Sequence, residues 1–171
     1  MNRRSILIGA LAAVPLAACG IISSNKSNGV TTITISVTDV QNWGAAIANA
    51  AKLLSVLPGI PASTAAVVSA VETKVLADLT AFTTAAGSSL TLTFDSTSVP
   101  AAINSLLSDG QSILSAVTGV GIPASFTSAA QQYIDALSTI VSVFKALISS
   151  TTKVAATPMT EGHALSILGV K

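Results

Sequence analysis

Chemistry in a protein chain starts from thiols, imidazoles, carboxylates and amines, and this sequence is sparing with all of them. It has one cysteine, Cys19, and one histidine, His163. A nucleophile needs a base within hydrogen-bond reach. His163 stands near the C-terminal end, where a lone histidine reads as an exposed polar side chain. Serines are abundant, yet none lies in a Gly-x-Ser-x-Gly setting. Metal sites need clustered His, Cys or carboxylate ligands, and Asp39, Glu72, Asp78, Asp95, Asp109, Asp135 and Glu161 are spread singly. Glu72 and Asp78, six residues apart, do not share a helix face. No Gly-rich phosphate loop follows a strand. The expectation is a protein that is not an enzyme and carries no cofactor or metal. The residue with a distinctive setting is Cys19.

Arg3 and Arg4 precede an uncharged, mostly apolar run from Ile6 to Leu16, and small residues follow. That is the layout of an export signal, with a run too short to span a membrane well. The run ends in Leu16-Ala17-Ala18-Cys19, which resembles the lipobox of bacterial lipoproteins. The resemblance covers the signal and this junction alone. It implies cleavage between Ala18 and Cys19, lipidation of Cys19, and membrane attachment through acyl chains. Each buried methylene contributes about 0.8 kcal/mol, and stable anchoring takes more than one chain. Asn2-Arg3-Arg4-Ser5 resembles a twin-arginine signal in its arginine pair but lacks the usual flanking residues, so n-region charge is the simpler reading. Lipoproteins retained in the inner membrane of many Gram-negative bacteria resemble one another in an Asp after the Cys. Gly20 stands there instead, which implies the periplasmic face of the outer membrane, with the inner membrane and the cell surface as the alternatives.

From Cys19 onward six lysines and no arginine face seven carboxylates, so the net charge is close to −1. No basic patch exists to neutralise phosphates, which excludes nucleic acid as an expected partner. Charged residues make up 9% of the chain, so the helix faces that meet solvent are weakly charged and poorly protected against association. With one cysteine, no intrachain disulfide staples the fold.

The elements that must position everything else follow from a repeat. Gly59-Ile60-Pro61-Ala62-Ser63 returns 62 residues later as Gly121-Ile122-Pro123-Ala124-Ser125. Thr32-Ile33-Thr34-Ile35 and Thr91-Leu92-Thr93-Phe94 precede the two copies at an offset of 59. Such ordered self-similarity indicates an internal duplication. Each unit reads as strand, helix, turn, helix. Ile33, Ile35 and Val37, and Leu90, Leu92 and Phe94, alternate with polar residues, the pattern of a half-buried strand.

Four helices carry apolar stripes. The first starts near Thr38 or Asp39 with Val40, Trp43, Ile47, Ala50, Leu54 and Leu57. The second is capped by Ser63, with Val68, Val71, Val75, Leu79 and Phe82. The third starts near Ser98, with Pro100 in its first turn and Ile103, Leu106, Leu107, Ile113, Leu114 and Val117 on its stripe. The fourth carries Phe126, Ala130, Tyr133, Leu137, Ile140, Phe144 and Leu147. In this reading Gly59 and Gly121 end a helix, Pro61 and Pro123 block its continuation, and Ser63 and Ser125 cap the next.

The expected fold is mainly α: a four-helix bundle of two duplicated strand-helix-turn-helix units with a small two-stranded β ribbon. Residues 1–18 are the signal, 19–31 a polar tether, 32–87 and 88–150 the two units of one domain, and 151–171 a linker with a short helix capped by Thr160. Trp43 and Tyr133 are the large amphipathic aromatics. Both fall on apolar stripes, and either becomes a contact residue if exposed. The expected role is a lipid-anchored envelope protein that docks on another envelope component or on itself. A carrier or sensor of a small apolar ligand, and a phage-derived envelope lipoprotein, are the alternatives.

Overall fold

The computed structural model describes residues 23–27, 30–95, 98–119, 128–148 and 159–170. The protein is mainly helical with a small antiparallel sheet. Strands β1 (Ser23–Ser27) and β2 (Val30–Ser36) lead into helices α1 (Val37–Ser55) and α2 (Ala62–Ala86). Strand β3 (Thr91–Asp95), α3 (Ala101–Thr118), α4 (Ser128–Ile148) and the short α5 (Glu161–Ile167) follow.

The sheet has three strands in the order β1-β2-β3, not two. The expected pair is β2 and β3, joined with Ile33 opposite Phe94 and Thr34 opposite Thr93. The additional strand, β1, lies within the segment expected to be a tether and pairs with β2 from Ser23↔Thr34 to Ser27↔Val30. Its sequence, SSNKS, has no apolar alternation to announce it. The main-chain ladder itself holds it, because backbone groups pair whatever the side chains are. Ile33, Ile35 and Phe94 are buried under the helices, Leu92 is partly buried, and Leu90, expected inside, lies outside β3 and is 83% exposed.

Helix α1 is the centre of the core, with ten buried residues, and it contacts α2, α3, α4, α5 and β2. It begins earlier than Thr38 because Ser36 caps it: the Asp39 N–H donates to Ser36 Oγ at 3.4 Å, and Val37 turns into the core as the first helical residue. Trp43 is fully buried against Phe144, ring centroids 4.9 Å apart and tilted by 49°. That geometry suits the quadrupoles of the two rings.

Helix α2 packs on α1 and α3 through a narrow stripe, Thr64, Val68, Val75, Phe82 and Ala86. The turn before it uses Gly59 at φ 89, a left-handed conformation that a side chain would strain. Ser63 does not cap α2. Pro61 holds the N-cap position, its carbonyl accepts the Ala65 N–H at 2.9 Å, and Ser63 lies inside the first turn. Pro100 likewise stands at the N-cap of α3, not in its first turn, and Ser98 instead bonds back to Asp95. Both prolines bring a preset φ and no N–H to satisfy, so the helix starts directly behind them. Gly121, Pro123 and Ser125 lie outside the described residues, as do Ala18, Cys19 and Phe126.

On α3, Ile103, Leu106, Ile113 and Val117 are buried; on α4, Ala130, Leu137, Ile140 and Phe144 are. Gly110 lets α3 approach closely: a Cβ there would stand 2.8 Å from Val141 Cγ2 and 3.3 Å from Ile47 Cδ1. Helix α5 packs against α4 and α1, with Ala164 and Leu168 buried, so it belongs to the same core as the other helices. Among the described residues no helix is long and apolar enough to cross a membrane.

Candidate functional site

Four of the seven carboxylates that stand singly in the sequence meet in space, at two places. The first joins α2 to α3. Lys74 Nζ donates to Asp109 Oδ1 at 2.5 Å, to Ser105 Oγ at 3.0 Å and to Asp78 Oδ2 at 3.4 Å. Ser105 Oγ donates in turn to Asp78 Oδ2. The helical period explains the arrangement. Lys74 and Asp78 are four apart on α2, Ser105 and Asp109 four apart on α3, so each pair lies one above the other and the pairs face each other.

Burial divides this cluster unevenly. The Lys74 side chain is 54% exposed, the Asp109 side chain 6%. Burial pushes the Asp109 carboxyl above the ordinary aspartate value; the Lys74 ammonium opposes that, and Asp78 adds to it. Asp78 is held below the ordinary value, first by the Ser105 hydroxyl and then by Lys74. Lys74 is held above its ordinary value, chiefly by its bond to Asp109. The two partners of the Lys74–Asp109 pair therefore shift in the same direction. We regard burial as decisive for Asp109 and the ion pair as decisive for Lys74. Asp109 Oδ2 is buried without a hydrogen-bond partner among the described residues.

A serine beside a lysine invites comparison with a nucleophile and its base. That chemistry needs a neutral amine. Lys74 is wired the other way, as an ammonium fixed by carboxylates, and Ser105 spends its proton on Asp78. The cluster is arranged to clamp two helices.

The second meeting place joins α5 to α1. Trp43 Nε1–H donates to Glu161 Oε1 at 2.7 Å, and Asn49 Nδ2 donates to the Leu168 carbonyl at 2.9 Å. Thr160 caps α5 by accepting the His163 N–H at 3.4 Å. Asp39, one turn from Trp43, is pushed above its ordinary value, first by burial and then by the charge of Glu161. Its Oδ2 is buried without a partner among the described residues.

Trp43 is thus a buried core residue whose polar tip fastens α5, and it offers no contact surface. Tyr133 is partly buried against the core, and the His163 side chain is exposed on α5. Among the described residues no group of three or more His, Cys, Asp or Glu side chains is placed to hold a metal ion. Two signals for these clusters are present in the sequence. Asp109 interrupts the core stripe of α3 between Leu106 and Ile113, and a carboxylate on a core face needs a cation. An indole on a core stripe needs an acceptor for its N–H. Neither signal says where the partner lies along the chain. No protein-family model, curated protein or solved structure matches this chain.

Proposed function

We propose that this chain is a non-enzymatic lipoprotein, anchored through Cys19 on the periplasmic face of the outer membrane, whose helical domain is a docking module for another envelope component. The observation that carries the reading is the Leu16-Ala17-Ala18-Cys19 junction behind an apolar run with two arginines. The position of β1 refines it. Its first residue, Ser23, comes four positions after Cys19, a reach of about 14 Å at full extension. A domain on so short a lead works beside its own membrane. The outward faces of the helices supply the docking surface. On α2 they are mostly Ala, Ser and Thr, with Lys74 as the exposed charge and Val67 and Leu76 about half exposed.

The domain itself is best read as a four-helix bundle of two duplicated units. Three regularities support this. Thr34 and Thr93, equivalent at the 59-residue offset, stand directly opposite each other, so a local two-fold axis passes through the strand pair. At the same offset the buried α3 residues Ile103, Leu106, Asp109, Gly110 and Ile113 fall on Gly44, Ile47, Ala50, Ala51 and Leu54, all buried on α1. At the 62-residue offset Val68, Val75 and Phe82 fall on Ala130, Leu137 and Phe144, also buried.

The test is labelling of the chain with a radioactive fatty acid in a Gram-negative host, followed by purification of tagged protein in mild detergent. Label on the wild type and none on Cys19→Ala, with an envelope protein retained by the wild type, is the expected result. Unlabelled wild-type chain released with the soluble fraction would overturn the reading.

A further inference from the structure

The end of the sheet at which β1 begins also carries Leu90, the most exposed large apolar side chain among the described residues. Strand β1 runs antiparallel to β2, and its first residue, Ser23, stands opposite Thr34. Leu90 lies just past the same end. The Val37 N–H donates to its carbonyl at 3.0 Å, one step beyond the Ser36↔Thr91 pair. Measured along the strands, Leu90 is three residues past the level of Ser23, about 10 Å. Val56, the next most exposed, stands past the far end of the 19-residue α1, about 28 Å away along the helix.

The turn that presents Leu90 is held by the main chain. The Gly87 N–H donates to the Thr83 carbonyl at 3.1 Å, and the Ser89 N–H to the Ala86 carbonyl at 3.0 Å. With the Val37 bond, both ends of the turn are tied down, and residues 87–90 are all exposed. Its surroundings are free of charge: no ionisable residue lies between Asp78 and Asp95. The first charge on α1, Asp39, has its Oδ2 buried. Such a surface can enter an apolar medium without desolvating an ion.

We propose that the turn 87–90 is a membrane-contact site, with Leu90 inserted into the leaflet that holds the acyl chains of Cys19. The proposal rests on the anchoring reading and adds an orientation to it. The short lead supplies the reason. Four residues span about 14 Å at full extension, and crossing the headgroup layer takes about half of that. Ser23 therefore stands at most about 7 Å beyond the headgroups. With the strands upright on the membrane, Leu90 is about 10 Å nearer the bilayer than Ser23, which brings it to the level of the apolar boundary. Three points then fix the domain on the surface, the anchor, Leu90 and the uncharged turn behind it, and the Val56 end of α1 faces away, toward any docking partner.

Fluorescence from a dye at a single introduced cysteine tests it. Full-length Leu90→Cys and Val56→Cys chains are made in a Gram-negative host and purified in mild detergent. Each is labelled at the new thiol with a polarity-sensitive dye, since lipidation leaves Cys19 no free thiol. The chains are then reconstituted into vesicles of phosphatidylethanolamine and phosphatidylglycerol. Both positions are exposed, so neither substitution nor dye disturbs the core. The expected result is blue-shifted emission at position 90, with quenching by brominated acyl chains roughly fivefold stronger there than at position 56. A chain that carries fatty acid yet shows no quenching at position 90, or none stronger than at position 56, would overturn the site and leave the anchor standing. Failure of the anchoring reading looks different: the chain carries no fatty acid and is not retained by the vesicles, and the membrane contact at Leu90 is overturned with it.

Discussion

Replacing Lys74 with methionine keeps the aliphatic stem and removes the charge that faces Asp109. The loss should be large at neutral pH and small in acid, for a reason that can be put in numbers. A hydrogen bond to a charged group is worth about 1.5–3 kcal/mol. Lys74 is half exposed while Asp109 is nearly enclosed, so solvent screens the pair on one side and favours the lower half of that range. There is also a ceiling, because the stranded carboxylate can take up a proton. From pH 7 down to the ordinary aspartate value of 3.8, at about 1.4 kcal/mol per pH unit, the ceiling is about 4 kcal/mol. At about pH 4 it falls to a few tenths of a kcal/mol. Lys74→Met should therefore destabilise by about 2 kcal/mol at pH 7 and by less than about 0.5 kcal/mol at pH 4. Urea unfolding at the two pH values, on the chain without its first eighteen residues, measures both. In an Asp109→Asn background the same substitution should cost less than about 1 kcal/mol, because no buried charge is left behind. A cost independent of pH, or a coupling between the two sites below about 0.5 kcal/mol, would refute the view that Lys74 neutralises a buried charge.

The carboxyl shifts give stability a definite pH dependence. Asp39 and Asp109 are raised in the folded state, so their contribution is fullest in acid and is lost as pH rises above 3.8 through their folded values; Asp78 is lowered and acts oppositely, below 3.8. Unfolding curves collected from about pH 4 upward should show falling stability, and Asp39→Asn should flatten the fall. Glu161→Ala strands the buried indole N–H of Trp43, at a cost of about 1–3 kcal/mol. Trp43 is the only tryptophan, so a shift in its emission reports the loosening of α5 directly. Gly110→Ala and Gly44→Ala form a contrasting pair: both gain about 1 kcal/mol of helix propensity, but their added methyl groups meet different neighbours. At Gly110 the neighbour is the buried, stiff Val141, at 2.8 Å, and the net effect should be a loss of about 1 kcal/mol; at Gly44 it is the tip of the half-buried Leu79, at 2.7 Å, which can rotate away, and thermal unfolding should show little change.

Much of the helical framework was legible because apolar spacing is a local signal. Val40, Trp43, Ile47, Ala50 and Leu54 lie on the inner side of α1, as their spacing predicts, and Leu137, Ile140 and Phe144 do the same on α4. Helix starts were less legible. Ser36, Pro61 and Pro100 compete with nearby Thr, Asp and Ser residues that cap equally well in isolation, and packing of the first turn decides among them. Strand β1 was invisible because its stabilisation is in the main chain, which leaves no mark on side-chain pattern. The polar clusters were half visible. The Lys74–Asp78 pair can be read from its four-residue spacing, but Ser105 and Asp109 enter from 31 and 35 residues away, and only the folded path of the chain brings them in. Cys19, which carries the functional reading, was read from a linear motif that needs no fold.

The docking of α5 fixes an order of events in time. Trp43 and Glu161 are 118 residues apart, and Asn49 and Leu168 are 119 apart. During synthesis at about 5–20 residues per second, α1 waits roughly 6–24 s for these partners. Until they arrive the indole N–H lacks its acceptor and one flank of α1 lacks its cover. The rest of the core can gather early, but its final closure is a long-range step with a correspondingly large loop-closure entropy. A chain in which α5 locks α1 stays open to handling through the synthesis of everything between them, and becomes rigid only once residues 161–168 have been made.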